Sequence, residues 1–206
     1  GIIKEPAELP FAVPEAVGLS STTLNKIDSI ANDAIKKHAI PGCVALVAKN
    51  GDIVFNRTYG HLTYNDPQPV TTETVYDLAS VTKISATTVA VMKLYEEGLL
   101  DLKKTLGAYL PWVRGSNKEN LVIENILLHQ AGLTPYITFY KETIDTITGI
   151  PKPGFYRKSA DDTFSIRVAD NMYMRKDWID TMYARILASP LGPQGTYVYS
   201  DNDFIF

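Results

Sequence analysis

Apolar side chains recur at helical spacing over residues 23–38, after a run of serine and threonine that suits a helix N-terminus and before the breaker Pro41. Two short apolar runs follow, at residues 44–48 and 53–55, with Asn50-Gly51 between them. An Asn-Gly pair between apolar runs is a strong signal for a tight hairpin turn. The pattern therefore predicts an entry helix followed by a β-hairpin.

A second apolar pattern begins after a polar, proline-containing loop at residues 61–73. The run from Ile84 to Tyr95 is apolar on nearly every side, which predicts a helix buried on most faces that ends at Gly98. Beyond it, the spacing predicts further helices at residues 100–110, 122–128 and 176–187.

Composition narrows the classes of function. At 206 residues and 45% hydrophobic, the chain can build one sizeable core or two subdomains. The net charge of −3 argues against a nucleic-acid partner. The single cysteine, Cys43, excludes an internal disulfide and precedes an apolar strand, so we predict a buried structural thiol. The sequence has no targeting signal, no segment long enough for a membrane span, and no His/Cys/Asp cluster that predicts a metal or cofactor site.

Ser80 and Lys83 form the pair with the clearest chemistry. If the apolar helix begins near Ser80, the two side chains lie at i and i+3 on one face. A serine needs a base to become a nucleophile, and a desolvated lysine can act as one. The spacing alone is weak, because an N-cap serine followed by a surface lysine gives the same pattern.

With Ser80-Val81-Thr82-Lys83 in place, the chain resembles the penicillin-recognising serine hydrolases, in particular the class C β-lactamase-like branch with its esterases and D-amino-acid peptidases. Residues 127–133 are similar to the branch's Leu-Leu-x-His-Thr-Ser-Gly-Leu element, with Gln130-Ala131 in place of Thr-Ser. Tyr199-Ser200-Asp201 falls where a Tyr-x-Asn motif is expected. The resemblance covers nearly the whole chain and looks closest to domains found behind family 3 glycosidases in some bacteria.

The resemblance implies an α+β fold of the serine β-lactamase/DD-peptidase type, in truncated form. Residues 1–20, with three regularly spaced prolines, would be a linker. Residues 21–63 would supply the helix and hairpin of the α/β sandwich, and residues 64–206 a mostly helical subdomain. The C-terminal strands and helix and the third motif are absent from the sequence, so we expect this fragment to be inactive. The hairpin edge would pair with a second copy or be covered by the entry helix.

The resemblance also implies a mechanism. Ser80 would attack an ester, amide or β-lactam carbonyl to form an acyl-enzyme, while Lys83 and Tyr199 move its proton and Asp201 binds substrate. The partner would be a small-molecule or peptide substrate related to the cell wall, outside the cytoplasm, with a glycosidase domain preceding this one. The alternative is a non-catalytic module, attached to a glycosidase, that binds peptidoglycan peptides or another protein.

Two questions stay open at this stage. Asp201 replaces an asparagine that would donate to a substrate amide, which favours an esterase or peptidase over a β-lactamase. Ser200-Asp201-Asn202 also spells the Ser-Asp-Asn element of class A enzymes, so Ser200 could replace Tyr199 as the second catalytic residue. We prefer the tyrosine register because of the element around His129, which we predict to be structural. Aromatic residues crowd positions 134–199, where they would line a pocket or pack a subdomain.

Overall fold

The chain forms two units, with a division between Asp77 and Leu78, in a computed structural model that describes residues 8–206. The first proline of the predicted linker, Pro6, lies outside the described residues. The remainder of that segment includes a 3-10 helix, Pro14–Val17, and a short parallel contact between Phe11 and Ile53 of the hairpin.

The first unit contains helices α1 (Ser21–Leu24) and α2 (Lys26–Lys36) and strands β1 (Gly42–Lys49) and β2 (Asp52–Gly60). The predicted entry helix is thus two helices, and the first begins after Ser20, whose hydroxyl accepts from an amide N–H at 3.3 Å. The antiparallel hairpin is confirmed.

The backbone conformation of the hairpin turn explains why its two central residues are asparagine and glycine. Asn50 and Gly51 have φ values of 55° and 90°, the left-handed conformations that asparagine and glycine adopt most easily. Tyr59 of β2 donates to Asp28 of α2 at 2.6 Å, which ties the helix to the hairpin. Burial is the main cause that raises the pKa of Tyr59 to about 12, and the hydrogen bond to Asp28 is the second cause. Cys43 in β1 is half-buried, so the prediction of a buried thiol is wrong.

The second unit combines helices with a small sheet. Its helices are α3 (Thr88–Glu96), α4 (Leu106–Tyr109), α5 (Ile123–Leu127), α6 (Tyr140–Thr143) and α7 (Asp177–Ala188), and its strands are β3 (Tyr156–Arg157), β4 (Ile166–Ala169) and β5 (Met172–Met174). The strands pair antiparallel in the order β3-β5-β4. The prediction of a mostly helical subdomain therefore missed a sheet, because strands of two to four residues are too short to show an alternating pattern.

The core of the second unit lies around α4 and α5. Its buried residues are Leu106, Val113, Leu121, Ile123, Ile126, Ala131 and Leu133. The C-terminal end of α7 is joined to this region by Lys118, a fully buried residue whose ammonium donates to the carbonyl oxygens of Leu187 and Ser189 and to the side chain of Asn117.

The helix predicted to be buried on most faces is largely exposed. Val89 and Met92 of α3 are 53% and 62% exposed, and no residue of α3 is buried. Val91 and Leu94 line a cavity beside core residues of α4 and α5. The prediction failed because a uniformly apolar pattern indicates which side chains favour burial, but the surrounding elements decide which of them are covered. The predicted end at Gly98 is confirmed by its φ of 70° and by the Leu99 N–H, which donates to Leu94 at 2.9 Å.

The aromatic residues of the segment 134–199 take both of the roles left open. Phe155 and Trp178 pack edge to face at 4.9 Å, and Tyr183 packs against Trp112 at 4.9 Å, so these rings hold α7 in place. Tyr199 instead lines a pocket. Among the described residues, no helix has the length and apolar character needed to cross a membrane, and no His/Cys/Asp/Glu group could hold a metal ion.

Candidate active site

Ser80 lies in the tight turn that starts the long helical segment of the second unit. The Lys83 N–H donates to the Ser80 carbonyl at 3.1 Å, and the Val81 N–H donates to Leu78 at 2.9 Å. The preceding residue, Ala79, has a φ of 43°, a left-handed conformation that costs a residue with a Cβ about 1–2 kcal/mol. The turn leaves Ser80 exposed.

The Lys83 side chain reaches back to Ser80. Its Nζ is 3.2 Å from Ser80 Oγ, which is the i, i+3 contact that the spacing predicted. Lys83–Thr87 form a π-helical turn before α3, and turns of this kind are frequent at functional sites. The lysine side chain is only 16% exposed, so it is not the surface lysine of the alternative interpretation.

Tyr199 approaches Ser80 from the far end of the chain. Its hydroxyl donates to Ser80 Oγ at 2.7 Å, and its ring centre lies 5.2 Å from Lys83 Nζ. Ser200 is fully buried, and its hydroxyl donates to the Thr134 carbonyl oxygen at 2.8 Å. The structure therefore places Tyr199, and not Ser200, against Ser80.

The segment that carries Tyr199, residues 192–201, is laid along residues 129–135 by backbone hydrogen bonds. These run from Gly192 to Gly132 (2.7 Å), from Gly195 to Gln130 (2.9 Å), from Val198 to His129 (2.9 Å) and from Asp201 to Pro135 (2.9 Å). Gly132 has a φ of 77°, and a Cβ there would lie 2.5 Å from the Gly192 oxygen. The element around His129 thus positions the second half of the site, and this close approach requires its glycine.

The pKa values of Lys83 and Tyr199 are shifted in opposite directions. Asp201 Oδ1 accepts from Lys83 Nζ at 2.7 Å. Burial alone would lower the pKa of Lys83, but the hydrogen bonds to Asp201 and Tyr199 outweigh it and hold the pKa above its ordinary value. The pKa of Tyr199 is lowered, first by its hydrogen bond to Ser80 and then by Lys83. Asp201 therefore helps to hold the lysine charged, and the phenol is the more easily deprotonated group.

A pocket of about 550 Å³ opens beside Ser80. Lys83 and Tyr199 contribute polar groups, and the other lining side chains are mostly apolar: Val81, Ile84, Leu127, Leu128 and Phe204. A site of this kind suits a carbonyl compound with an apolar group beside the reacting carbon.

His129 and Asp203 form a buried pair that sequence reasoning missed. His129 Nδ1 lies 2.7 Å from Asp203 Oδ2, and the Asp203 side chain is 1% exposed. Burial, partly offset by His129, raises the pKa of Asp203 to about 6. Asp203 Oδ1 has no hydrogen-bond partner among residues 8–206. The two residues are 74 positions apart, and the one signal available was a carboxylate directly before the apolar C-terminal residues 204–206.

Comparison with known proteins gives one family match over most of the chain. The sequence model of the Beta-lactamase family matches residues 27–204. Among curated proteins, an N-acetylmuramyl-L-alanine amidase of Bacillus subtilis (strain 168) is 29% identical over an alignment of 163 positions that covers 66% of this chain and 37% of that protein.

Solved structures agree on the fold. A class C beta lactamase superposes with a TM-score of 0.60 at 24% identity, over 89% of this chain and 42% of the other. An octameric penicillin-binding protein homologue from Pyrococcus abyssi gives 0.61 at 21% identity, over 87% and 36%. The chain therefore has the α+β fold of these proteins and spans less than half of the length of each.

Proposed function

Because the chain belongs to the Beta-lactamase family, we propose that it is a serine hydrolase in which Ser80 is the nucleophile and forms an acyl-enzyme. The observation that carries the proposal is the convergence of Lys83 Nζ and Tyr199 Oη on Ser80 Oγ, at 3.2 and 2.7 Å. A nucleophile within hydrogen-bond reach of its proton acceptor is the geometry that general-base catalysis needs.

Tyr199 is the better candidate for the base. Its pKa is lowered by Ser80 and Lys83, whereas the pKa of Lys83 is raised with Asp201 as partner. A positive Lys83 stabilises a Tyr199 phenolate, and the phenolate takes the Ser80 proton as Oγ bonds to the carbonyl carbon. This refines the sequence expectation that Lys83 and Tyr199 share the proton.

The cycle then balances with water as the only co-reactant. Tyr199 returns its proton to the leaving alcohol or amine as that bond breaks, which leaves an ester on Ser80 Oγ. Tyr199 next takes a proton from water as the water oxygen attacks the ester carbon. The same proton restores the Ser80 hydroxyl when the acid product leaves.

The chemistry of Asp201 favours esters over β-lactams, and the amidase relative supports peptides, which are amides too. Asp201 supplies only acceptor oxygens, and one of them is engaged by Lys83, so it cannot donate to a substrate amide carbonyl. The amidase relative acts, by its name, on an N-acetylmuramyl-L-alanine amide, which supports a cell-wall substrate and a place outside the cytoplasm. Efficient cephalosporin turnover, with no gain from Asp201→Asn, would contradict this preference.

The test is covalent labelling with a fluorophosphonate followed by mass spectrometry, which detects a single reaction of Ser80 and does not require the chain to turn over substrate. We expect one adduct, on Ser80, that is lost in Ser80→Ala. Ser29→Ala is the matched control, because Ser29 is an exposed serine of α2 whose hydroxyl donates to a backbone carbonyl, and this variant should still be labelled. An adduct on another residue, or labelling of Ser80→Ala at the parent rate, would refute the assignment.

One observation favours a second candidate, a non-catalytic module that binds peptides. A lysine held charged by Asp201 is a ready partner for a peptide carboxylate and a poor base. This candidate predicts that a peptide with a free carboxylate binds the parent and Ser80→Ala equally, and that the parent is not labelled.

A further inference from the structure

His129 contacts Tyr199 and both of its chain neighbours. The Val198 N–H donates to the His129 carbonyl oxygen at 2.9 Å, and the Ser200 N–H donates to His129 Nδ1 at 3.2 Å. The imidazole lies 4.5 Å from the Tyr199 ring, centre to centre. His129 therefore holds the backbone before the phenol and one face of its ring.

Asp203 in turn fixes the imidazole. Its Oδ2 lies 2.7 Å from Nδ1, closer than the Ser200 N–H, and Nδ1 has a single in-plane position to offer. The contact with Asp203 therefore dominates. Aromatic rings enclose the remaining sides, with Phe204 at 5.3 Å and Tyr197 at 5.9 Å. The ionisable groups that face the imidazole are thus Asp203, Tyr197 and Tyr199.

The buried position of the Asp203 carboxylate is also energetically unfavourable. Its side chain is 1% exposed, and the second oxygen is unpartnered among the described residues. A buried acceptor without a partner destabilises the fold. A group kept at such a cost beside a reactive site is a candidate for a role in that site.

We propose that His129, held by Asp203, is a positioning residue that keeps the Tyr199 hydroxyl on Ser80 Oγ. The proposal rests on the proposed function of Ser80 and Tyr199. It extends that function to a buried pair which touches no substrate and acts only through the tyrosine. A displacement of about 1 Å in a reacting group can cost about 100-fold in rate, so loosening the imidazole should slow acylation of Ser80.

Two readouts separate positioning from stability alone. The first is the rate at which a fluorophosphonate labels Ser80. The second is the pKa of the Tyr199 phenol, followed by NMR with ¹³C-labelled tyrosine, because that pKa is lowered only while the phenol contacts Ser80 and Lys83. Thermal unfolding is measured alongside. A purely structural role would change the unfolding temperature and leave both readouts of the folded protein unchanged.

The variants are Asp203→Leu, which removes the hydrogen bond, and Asp203→Asn, which can keep it. We expect Asp203→Leu to slow labelling about 10- to 100-fold and to return the Tyr199 pKa toward 10. Asp203→Asn should stay within about threefold of the parent. Asp170→Asn is the control, because that side chain is 88% exposed and pairs only with Arg167 in the described structure. If Asp203→Leu does not fold, Asp203→Ala replaces it, since the vacated space can admit water.

Each outcome decides the proposal. A folded Asp203→Leu or Asp203→Ala that keeps the parent rate and the lowered Tyr199 pKa overturns it. If the parent is not labelled at Ser80, the proposed function fails, and the Tyr199 pKa still decides whether the pair positions the phenol. A normal Tyr199 pKa already present in the parent would overturn the proposal as well.

Discussion

Replacing Asp203 with asparagine should remove a pH-dependent loss of stability. The pKa of Asp203 rises from its ordinary value of 3.8 to about 6 in the folded chain because the carboxyl is buried. That difference corresponds to about 3 kcal/mol between the two protonation states.

The sign follows from proton binding. Below pH 3.8 the carboxyl is protonated in both states and contributes nothing. Between about pH 4 and pH 6 the unfolded chain releases the proton while the folded chain keeps it, so the free energy of unfolding falls as pH rises. Above pH 6 the full loss is present. Asparagine does not titrate, so it lacks this loss at every pH.

The assay is urea unfolding of the parent and Asp203→Asn from pH 3.5 to pH 7.5. Both tryptophans, Trp112 and Trp178, belong to the second unit, so their fluorescence reports the unit that contains Asp203. The free energy of unfolding of the parent, minus that of the variant, should drop by up to about 3 kcal/mol across this range. Constant effects of the substitution cancel in this comparison. A difference that stays flat with pH would refute the burial argument.

Two further substitutions test how the second unit is held together. Lys118→Met should lower the free energy of unfolding by about 1–3 kcal/mol, because two carbonyl oxygens at the end of α7 lose the ammonium that caps them; an unchanged urea midpoint would contradict this. Gly132→Ala should be destabilising by more than Gly149→Ala and should slow labelling of Ser80. Both glycines have positive φ, but only at Gly132 does a Cβ meet a backbone oxygen, at 2.5 Å. Equal losses of stability, with labelling unaffected, would show that the two segments it joins can separate without disturbing the site.

The local preferences of a few residues were enough to predict several structural features of this protein from its sequence. Asn50-Gly51 predicted the hairpin because the two residues favour the left-handed turn wherever they occur. Gly98 predicted the end of α3 for the same reason. The spacing of Ser80 and Lys83 predicted their contact because residues three positions apart on a helix lie on the same face, whatever surrounds the helix.

Tertiary structure decided everything that depends on partners distant in the sequence. Tyr199 and Ser200 were both candidates, since the sequence fits both a Tyr-x-Asn and a Ser-Asp-Asn register. Neighbouring side chains in an extended segment point to opposite sides, so only one of them faces Ser80. The hydrogen bond from Ser200 to Thr134 turns the tyrosine toward Ser80. No pattern predicts such a bond between residues 66 positions apart.

Dependence on residues distant in the sequence also accounts for the predictions that were wrong. The apolar helix α3 is uncovered on most of its surface because burial depends on neighbours that periodicity does not name. The strands β3 to β5 are held by their pairing with one another, and each is too short for its sequence to show an alternating pattern. The pair His129–Asp203 exists only because the fold brings the end of α5 against the C-terminal 3-10 helix, where a carboxylate loses its water and gains an imidazole.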